Sequence, residues 1–343
     1  MSLLIYGAYG YTGELIAEDA VDRDLDVVVA GRDKRKVRDL AARLNCKGRR
    51  FDLDAAVDNL DDVEAVLNCA GPFVETYEPL VEACLETGTH YLDITGELSV
   101  FEAIAERDRE AEKAGVCLLP GVGFDVVPTD CLAGHLHDMH PSADELRLGF
   151  DPSGTISKGT LASVIEHLDE GGKVRRDGRL VDVPPAHKRR YIDFGRGERS
   201  AATIPWGDVS TAYYTTGIEN IEVYTAMPSE AAIALKYGSG IVGPVLGAEP
   251  VKDALQTLAK TVVSGPSETQ RRERACYVWG EATDGERTVT ARLKTPETYA
   301  LTVDAATTAA ARILEDAPAG FETPAAAFTP EFVLDLDGVE GFF

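Results

Sequence analysis

Between residues 2 and 120, short apolar runs alternate with amphipathic stretches of helical period, and this alternation leaves few folds open. Leu3-Leu4-Ile5-Tyr6, Val27-Val28-Val29-Ala30, Ala65-Val66-Leu67-Asn68-Cys69, Tyr91-Leu92-Asp93 and Val116-Cys117-Leu118-Leu119-Pro120 read as strands. Glu14 to Asp22, Lys34 to Leu44, Pro79 to Thr87 and Val100 to Ala114 read as the helices between them. A strand that is apolar along its whole length is buried on both faces. Several of them separated by helices require a parallel sheet with helices on either side. The expected class is α/β with a doubly wound parallel sheet.

Beyond Asp130 the pattern changes. Residues 144–150 alternate like a strand, Thr160 to Leu168 has a helical pattern, and further strand candidates lie at 179–183, 189–194, 218–227, 275–282 and 286–293. The last two flank Thr283-Asp284-Gly285, whose Asp-Gly step is a hairpin signal. This predicts an inserted α+β domain of largely antiparallel sheet. An Ala-rich stretch of helical period then runs from Tyr299 to Glu315, and this long helix is expected to return to the first domain. The expected limits are 1–130, 131–294 and 295–343. A length of 343 residues agrees with about two domains.

The first strand leads into Gly7-Ala8-Tyr9-Gly10-Tyr11-Thr12-Gly13, and a helix follows. The first glycine lets the strand turn sharply. The second lets backbone approach a pyrophosphate, and the third lets helix and sheet pack closely. The helix N-terminus then offers free N–H groups and partial positive charge to phosphates. In this strand–turn–helix context Gly7, Gly10, Tyr11, Thr12 and Gly13 are candidate cofactor-binding residues of a Rossmann-type fold. The second strand ends in Ala30-Gly31-Arg32-Asp33, where an acidic residue would hold the ribose of NAD. Arg32, with Arg35 beyond it, favours a 2′-phosphate instead, and therefore NADP over NAD; the bland reading is the start of a solvated helix. Asp52, after the next strand-like stretch, is a candidate for the adenine amine or for a helix cap.

Three loops are expected at the carboxyl edge of the sheet, where open α/β sheets bind ligands. They are Asn68-Cys69-Ala70-Gly71-Pro72-Phe73, Asp93-Ile94-Thr95-Gly96-Glu97 and Pro120-Gly121-Val122-Gly123-Phe124-Asp125. Cys69, Ala70, Gly71, Pro72 and Phe73 are placed at the nicotinamide end. Together with the glycine turn, Ala30-Gly31-Arg32, Glu78-Pro79-Leu80-Val81-Glu82-Ala83-Cys84, His90-Tyr91-Leu92, Pro128, Asp130, Pro205-Trp206-Gly207-Asp208, Tyr277-Val278-Trp279-Gly280, Thr295-Pro296 and Tyr299-Ala300-Leu301-Thr302, these segments make the chain resemble the saccharopine dehydrogenase-like oxidoreductases, a family that also holds trans-acting enoyl reductases. Thr76-Tyr77 departs from the family pattern, in which an aromatic residue and then a glycine are expected. The resemblance implies an NADP-dependent oxidoreductase whose inserted domain covers a small or lipid-like carbonyl or enoyl substrate. Saccharopine-type amino-acid dehydrogenation and a non-catalytic NADP redox sensor are the alternatives.

Hydride chemistry on a nicotinamide needs a proton from the protein. Asp93, Glu97, Asp125 and Tyr77 are the candidates, and a carboxyl raised in pKa by burial would serve. The same carboxylates would equally hold turns by accepting from backbone N–H groups. Cys69 reads as a packed thiol. His135 and His137 fall on different faces of a helix, so no metal is expected. Gly154 to Thr160, with Lys158, precedes a helix and either receives an anionic part of the substrate or is capped by Ser157. Ala231 to Gly247 is apolar and glycine-rich, which suits a greasy channel, a dimer contact or core.

Acidic residues number 58 against 34 basic, a net charge of −24, which argues against nucleic acid or an anionic membrane as a standing partner. No apolar run approaches the roughly 20 residues of a membrane span. The N-terminus has no basic n-region, so no signal peptide is expected. The six cysteines form no C-x-x-C pair and are expected to be reduced, in a cytoplasmic protein. A homodimer is left open. Self-repulsion among so many carboxylates is screened by salt, and this acidity suits a salty interior. The melting temperature should therefore rise as KCl is added; a Tm indifferent to salt would count against the halophilic reading.

Overall fold

The computed structural model describes residues 2–152, 171–233, 235–236 and 274–343. It divides into two compact units: residues 1–134 with 299–337, and residues 135–298 with 338–343. The Gly154–Thr160 loop, the Thr160–Leu168 helix and most of the Ala231–Gly247 stretch lie outside the described residues.

Unit 1 is built on seven parallel strands: β1 (Ser2–Tyr6), β2 (Asp26–Gly31), β3 (Lys47–Arg50), β4 (Ala65–Asn68), β5 (His90–Asp93), β6 (Cys117–Leu119) and a late strand, Gly320–Phe321. Their order across the sheet is 3-2-1-4-5-6, with Gly320–Phe321 added beyond β6. This is the doubly wound Rossmann order, with the reversal point between β1 and β4. β1 and β4 are buried at every position, as two covered faces require. Helices α1 (Tyr11–Asp22), α2 (Lys34–Leu44), α3 (Phe73–Thr87), α4 (Leu98–Ala105), α5 (Asp108–Ala114) and α6 (Val127–Met139) follow the strands in turn.

Local chemistry sets several helix ends. Asp33 caps α2, its Oδ1 accepting from the Arg35 and Lys36 N–H groups at 2.9 and 3.1 Å. Gly88, at φ +76°, ends α3. The single helix expected over Val100–Ala114 is broken: α4 stops at Ala105, and Arg107 then ion-pairs with Glu110 at 2.8 Å in the first turn of α5. Helix α3 begins at Phe73, well before the expected Pro79, and Pro79 lies within it. β3 escapes a hydropathy reading because its four residues are Lys-Gly-Arg-Arg, at the edge of the sheet.

Unit 2 carries nine strands among the described residues. Their path is β10 (Arg189–Asp193), β11 (Glu198–Thr203), β12 (Asn220–Ala226), β7 (Glu145–Pro152), β13 (Ala275–Thr283), β14 (Thr288–Pro296) and a short terminal strand, Glu340–Gly341. The pair β8 (Gly172–Arg176) and β9 (Arg179–Val183) joins at β12. All pairings among the described residues of this unit are antiparallel except β12 with β7. The hairpin expected at Asp284-Gly285 is present: Asp284 Oδ1 accepts from the Glu286 and Arg287 N–H groups, and Gly285 has φ +85°. Helix α7 (Asp208–Thr216) has no counterpart among the elements expected from sequence.

The expected C-terminal helix runs over Thr298–Glu315, here α8. Residues 338–343 belong to the second unit. They pair along β14, with Leu293 opposite Gly341 and Lys294 opposite Glu340, so 295–343 does not return to the first unit as a whole. No helix among the described residues is long and apolar enough to cross a membrane.

Candidate functional site

The glycine turn joins β1 to α1 by a close backbone crossing. Gly7 has φ +79°, and a Cβ there would lie 2.8 Å from Ala70. A Cβ at Gly13 would lie 2.5 Å from the Gly7 carbonyl oxygen and 3.2 Å from the Cys69 Cβ. Side chains are excluded at both positions, so α1 starts hard against the ends of β1 and β4. Gly10 is the N-cap of α1 and supplies no side-chain acceptor. The N–H groups of Thr12 and Gly13, in the first turn, therefore have no intrahelical acceptor. Such a cradle fits a phosphate group, since a backbone donor set at a helix N-terminus is what an anion requires. Tyr11 is exposed and meets the ring of Tyr299 edge-on at 5.0 Å.

At the tip of β2, Arg32, Lys34, Arg35 and Lys36 are exposed. Arg32, Lys34 and Arg35 have no ion pair among the described residues. Lys34, Arg35 and Lys36 lie in the first turn of α2, where the helix dipole is already positive, so their charges add to it. Lys36 sits 5.2 Å over the Tyr9 ring. The Tyr9 hydroxyl accepts from the Asp33 N–H. Asp52, expected near adenine, is ion-paired to Arg50 at 2.5 Å.

The three expected loops do meet at the carboxyl edge of the sheet, and buried polar groups tie them together. Asp93 is fully buried. Its Oδ1 accepts from the N–H groups of Thr95 and Gly121, each at 2.9 Å, and its Oδ2 accepts from the Tyr91 hydroxyl at 2.8 Å. Burial pushes its carboxyl up to about 6, against these donors, which favour the charged form. Asn68 donates to Thr76 Oγ1 at 3.0 Å and to the Tyr91 hydroxyl at 3.4 Å, and its Oδ1 accepts from the Ala70 N–H. Thr76 in turn donates to the Ala70 carbonyl at 2.7 Å. The residue that departs from the family pattern thus pins the Cys69–Phe73 loop.

Glu97 caps α3. Its two carboxylate oxygens accept from the Phe73 and Val74 N–H groups, each at 2.9 Å. Asp125 is partly buried, and desolvation pushes its carboxyl up to about 6. A Cβ built on Gly96 would be 2.9 Å from Asp125 Oδ2, so this carboxylate lies against the β5 loop. Tyr77 does not stand with the other three. It is inside α3, half-buried against the sheet core, and the charges around it are Glu78, Arg107 and Glu106. Cys69 is packed beneath the turn, and burial, with Asp93 nearby, pushes its thiol up. The exposed Gly71 and Pro72 complete the loop.

Four further residues of this edge, Arg50, Tyr9, Tyr91 and Asn68, are not singled out by residue type. Tyr9, Tyr91 and Asn68 lie inside recognisable motifs, which is the signal that could have found them. Arg50 gives no signal, because only the sheet order places the end of β3 beside the tip of β2.

Comparison with known proteins bears on the fold and the family. Residues 3–119 match the family model described as "Saccharopine dehydrogenase NADP binding domain". A saccharopine dehydrogenase-like oxidoreductase of Mus musculus is 32% identical over 64% of this chain and 60% of its own. A trans-acting enoyl reductase of Mycobacterium leprae is 32% identical over 39% of this chain and 35% of its own. The apo saccharopine dehydrogenase (L-Glu forming) of Saccharomyces cerevisiae shares the fold, with a TM-score of 0.62 at 13% identity over 97% of this chain and 95% of its own. The chain spans about 60% of the length of the curated mouse relative.

Loss of the Glu97 cap should be measurable. Glu97→Ala should cost about 0.5–2 kcal/mol in chemical denaturation, and it should expose the Phe73 and Val74 amides to faster hydrogen exchange than in the unaltered chain. Residues 3–119 match the saccharopine dehydrogenase NADP binding domain model, and the chain is a homologue of the saccharopine dehydrogenase-like oxidoreductases and the trans-acting enoyl reductases.

Proposed function

We propose that this protein is an NADP-dependent oxidoreductase that transfers hydride to or from a small or lipid-like carbonyl or enoyl compound. The observation that carries the cofactor choice is the cluster of Arg32, Lys34 and Arg35 at the tip of β2 and the start of α2, without ion pairs among the described residues. The backbone donors of the glycine turn would hold the pyrophosphate, and these cations the 2′-phosphate. The trans-acting enoyl reductases among the homologues support an enoyl substrate.

When bound, the nicotinamide supplies or accepts the hydride. The chain's own task is then to orient that ring and to handle a proton. Asp93 and Glu97 have their oxygens committed to Thr95, Gly121, Tyr91, Phe73 and Val74, so they shape the loops. Asp125, on the same edge and with its carboxyl raised to about 6, is the residue we assign as the proton donor in reduction. Tyr77 has no part in this assignment.

The acid form of Asp125 persists up to about pH 6. The rate of reduction should accordingly fall as pH rises through that value. A folded-state pKa above the ordinary carboxyl value of 3.8 also means that protonation favours the folded state as pH falls from about 6 toward 4. Asp125→Asn should lower kcat by about 10²–10⁴-fold and remove the pH limb, while NADPH binding measured by nicotinamide fluorescence stays intact. Retention of kcat and of the limb would reassign the donor. Arg32→Ala should weaken NADPH far more than NADH; equal losses, or no binding of either nucleotide by the unaltered chain, would refute the cofactor reading.

A further inference from the structure

Between Arg32 and Arg50, nine basic residues stand against two acidic ones, in a chain of net charge −24. Four of these cations are neutralised within the unit: Arg38 by Asp39, Arg43 by Glu14 and Glu18, Lys47 by Asp26 and Arg49 by Asp62. Arg50 is held differently. β3 sets it in register with Gly31 at the end of β2. Its Nε donates to the Arg32 carbonyl at 3.1 Å and its Nη2 to Asp52 Oδ2 at 2.5 Å. One guanidinium thus spans the tip of β2 and the loop after β3.

A second observation points to a ligand at this place. The Tyr6 hydroxyl is buried, with the residue 2% exposed, and it has no hydrogen-bond partner among the described residues. The charged and polar groups that act on it are Arg32, Tyr9, Asp52 and Arg50. An unsatisfied buried hydroxyl carries a free-energy cost that a polar group brought in from outside would relieve. Arg50 and Asp52 are each about half exposed, and an exposed pair of this kind contributes little and is readily exchanged. A phosphate dianion is a stronger acceptor for a guanidinium fork than a single carboxylate that solvent also reaches.

We propose that Arg50 is the second cation of the adenosine 2′-phosphate site, and that Asp52 restrains the preference for NADP over NAD by holding that guanidinium until a phosphate competes for it. This rests on the cofactor reading given under Proposed function. Arg32 brings its charge from β2 and Arg50 from β3. Asp52 leaves the net charge of the pair near zero when the nucleotide lacks the phosphate.

Calorimetric titration of the full chain at one fixed KCl concentration tests this, with NADPH, NADH, 2′,5′-ADP and 5′-AMP as probes. Arg50→Ala should weaken NADPH and 2′,5′-ADP by about tenfold and leave NADH and 5′-AMP within about twofold. Arg50→Lys, which keeps the charge but loses the fork, should fall between. Asp52→Asn should widen the preference for NADPH over NADH. Should Arg50→Ala fail to fold, Arg50→Lys and Asp52→Asn carry the test alone. Equal losses for phosphorylated and unphosphorylated probes, or no loss, in variants of a chain that itself binds NADPH would overturn this proposal and leave the parent reading standing. Failure of the unaltered chain to bind any of the four probes would overturn both.

Discussion

The carboxyl edge of unit 1 depends on one buried carboxylate. Asp93 reaches Thr95 in its own loop, Gly121 in the next, and Tyr91 on its own strand. Tyr91 passes the connection to Asn68, and Asn68 to Thr76 and Ala70. Three loops from β4, β5 and β6 are thereby joined through one set of hydrogen bonds with no exposed member among Asp93, Tyr91, Asn68 and Thr76. In a low-dielectric interior such bonds are strong, and a partner lost would leave a buried charge or amide unsatisfied. That cost keeps the edge in one arrangement, which a site that must orient a flat cofactor ring requires.

Around this network the backbone supplies the remainder. Gly7 and Gly13 let α1 start within contact of Cys69 and Ala70, so the N-terminal end of the helix stands against the ends of β1 and β4. Glu97 closes the N-terminus of α3 with its own carboxylate. The two helix N-termini differ: α1 has no side-chain cap, whereas α3 is capped by the Glu97 carboxylate. Of the acidic residues brought to the edge, Asp93 and Glu97 hold turns, and Asp125 joins a place at that edge to a carboxyl raised by burial.

Charge is distributed just as unevenly. The chain is strongly acidic, yet the segment 32–50 is basic, and five of its nine cations pair with neighbouring carboxylates. Those left over gather at the tip of β2, where the dipole of α2 reinforces them. A positive spot on a negative molecule focuses an anionic ligand to that point.

Much of the first unit is legible in the sequence because its strands carry their own signal. Leu3–Tyr6 and Val27–Ala30 are apolar throughout, and the glycine turn stands where a strand becomes a helix. Asp284-Gly285 likewise dictates its hairpin from two residues. Other features are illegible because no local residue encodes them. The N-terminal turn of α3 is capped by Glu97, over twenty residues away; β3 is a strand because β2 lies beside it, despite a polar sequence. Tyr77 follows the Cys69–Phe73 loop closely in sequence, yet the helix that carries it turns it toward the sheet core and away from the acidic candidates.

What the sequence determined by itself was the class of fold, the glycine turn and the set of acidic candidates, since each follows from residue type and short spacing. Only the tertiary structure decided which carboxylates are consumed by backbone donors, and that the end of β3 brings Arg50 beside Arg32. Hydrogen-bond satisfaction and strand order are properties of groups distant along the chain, and burial, which moves a carboxyl from its usual value to about 6, exists only once the sheet has closed over it.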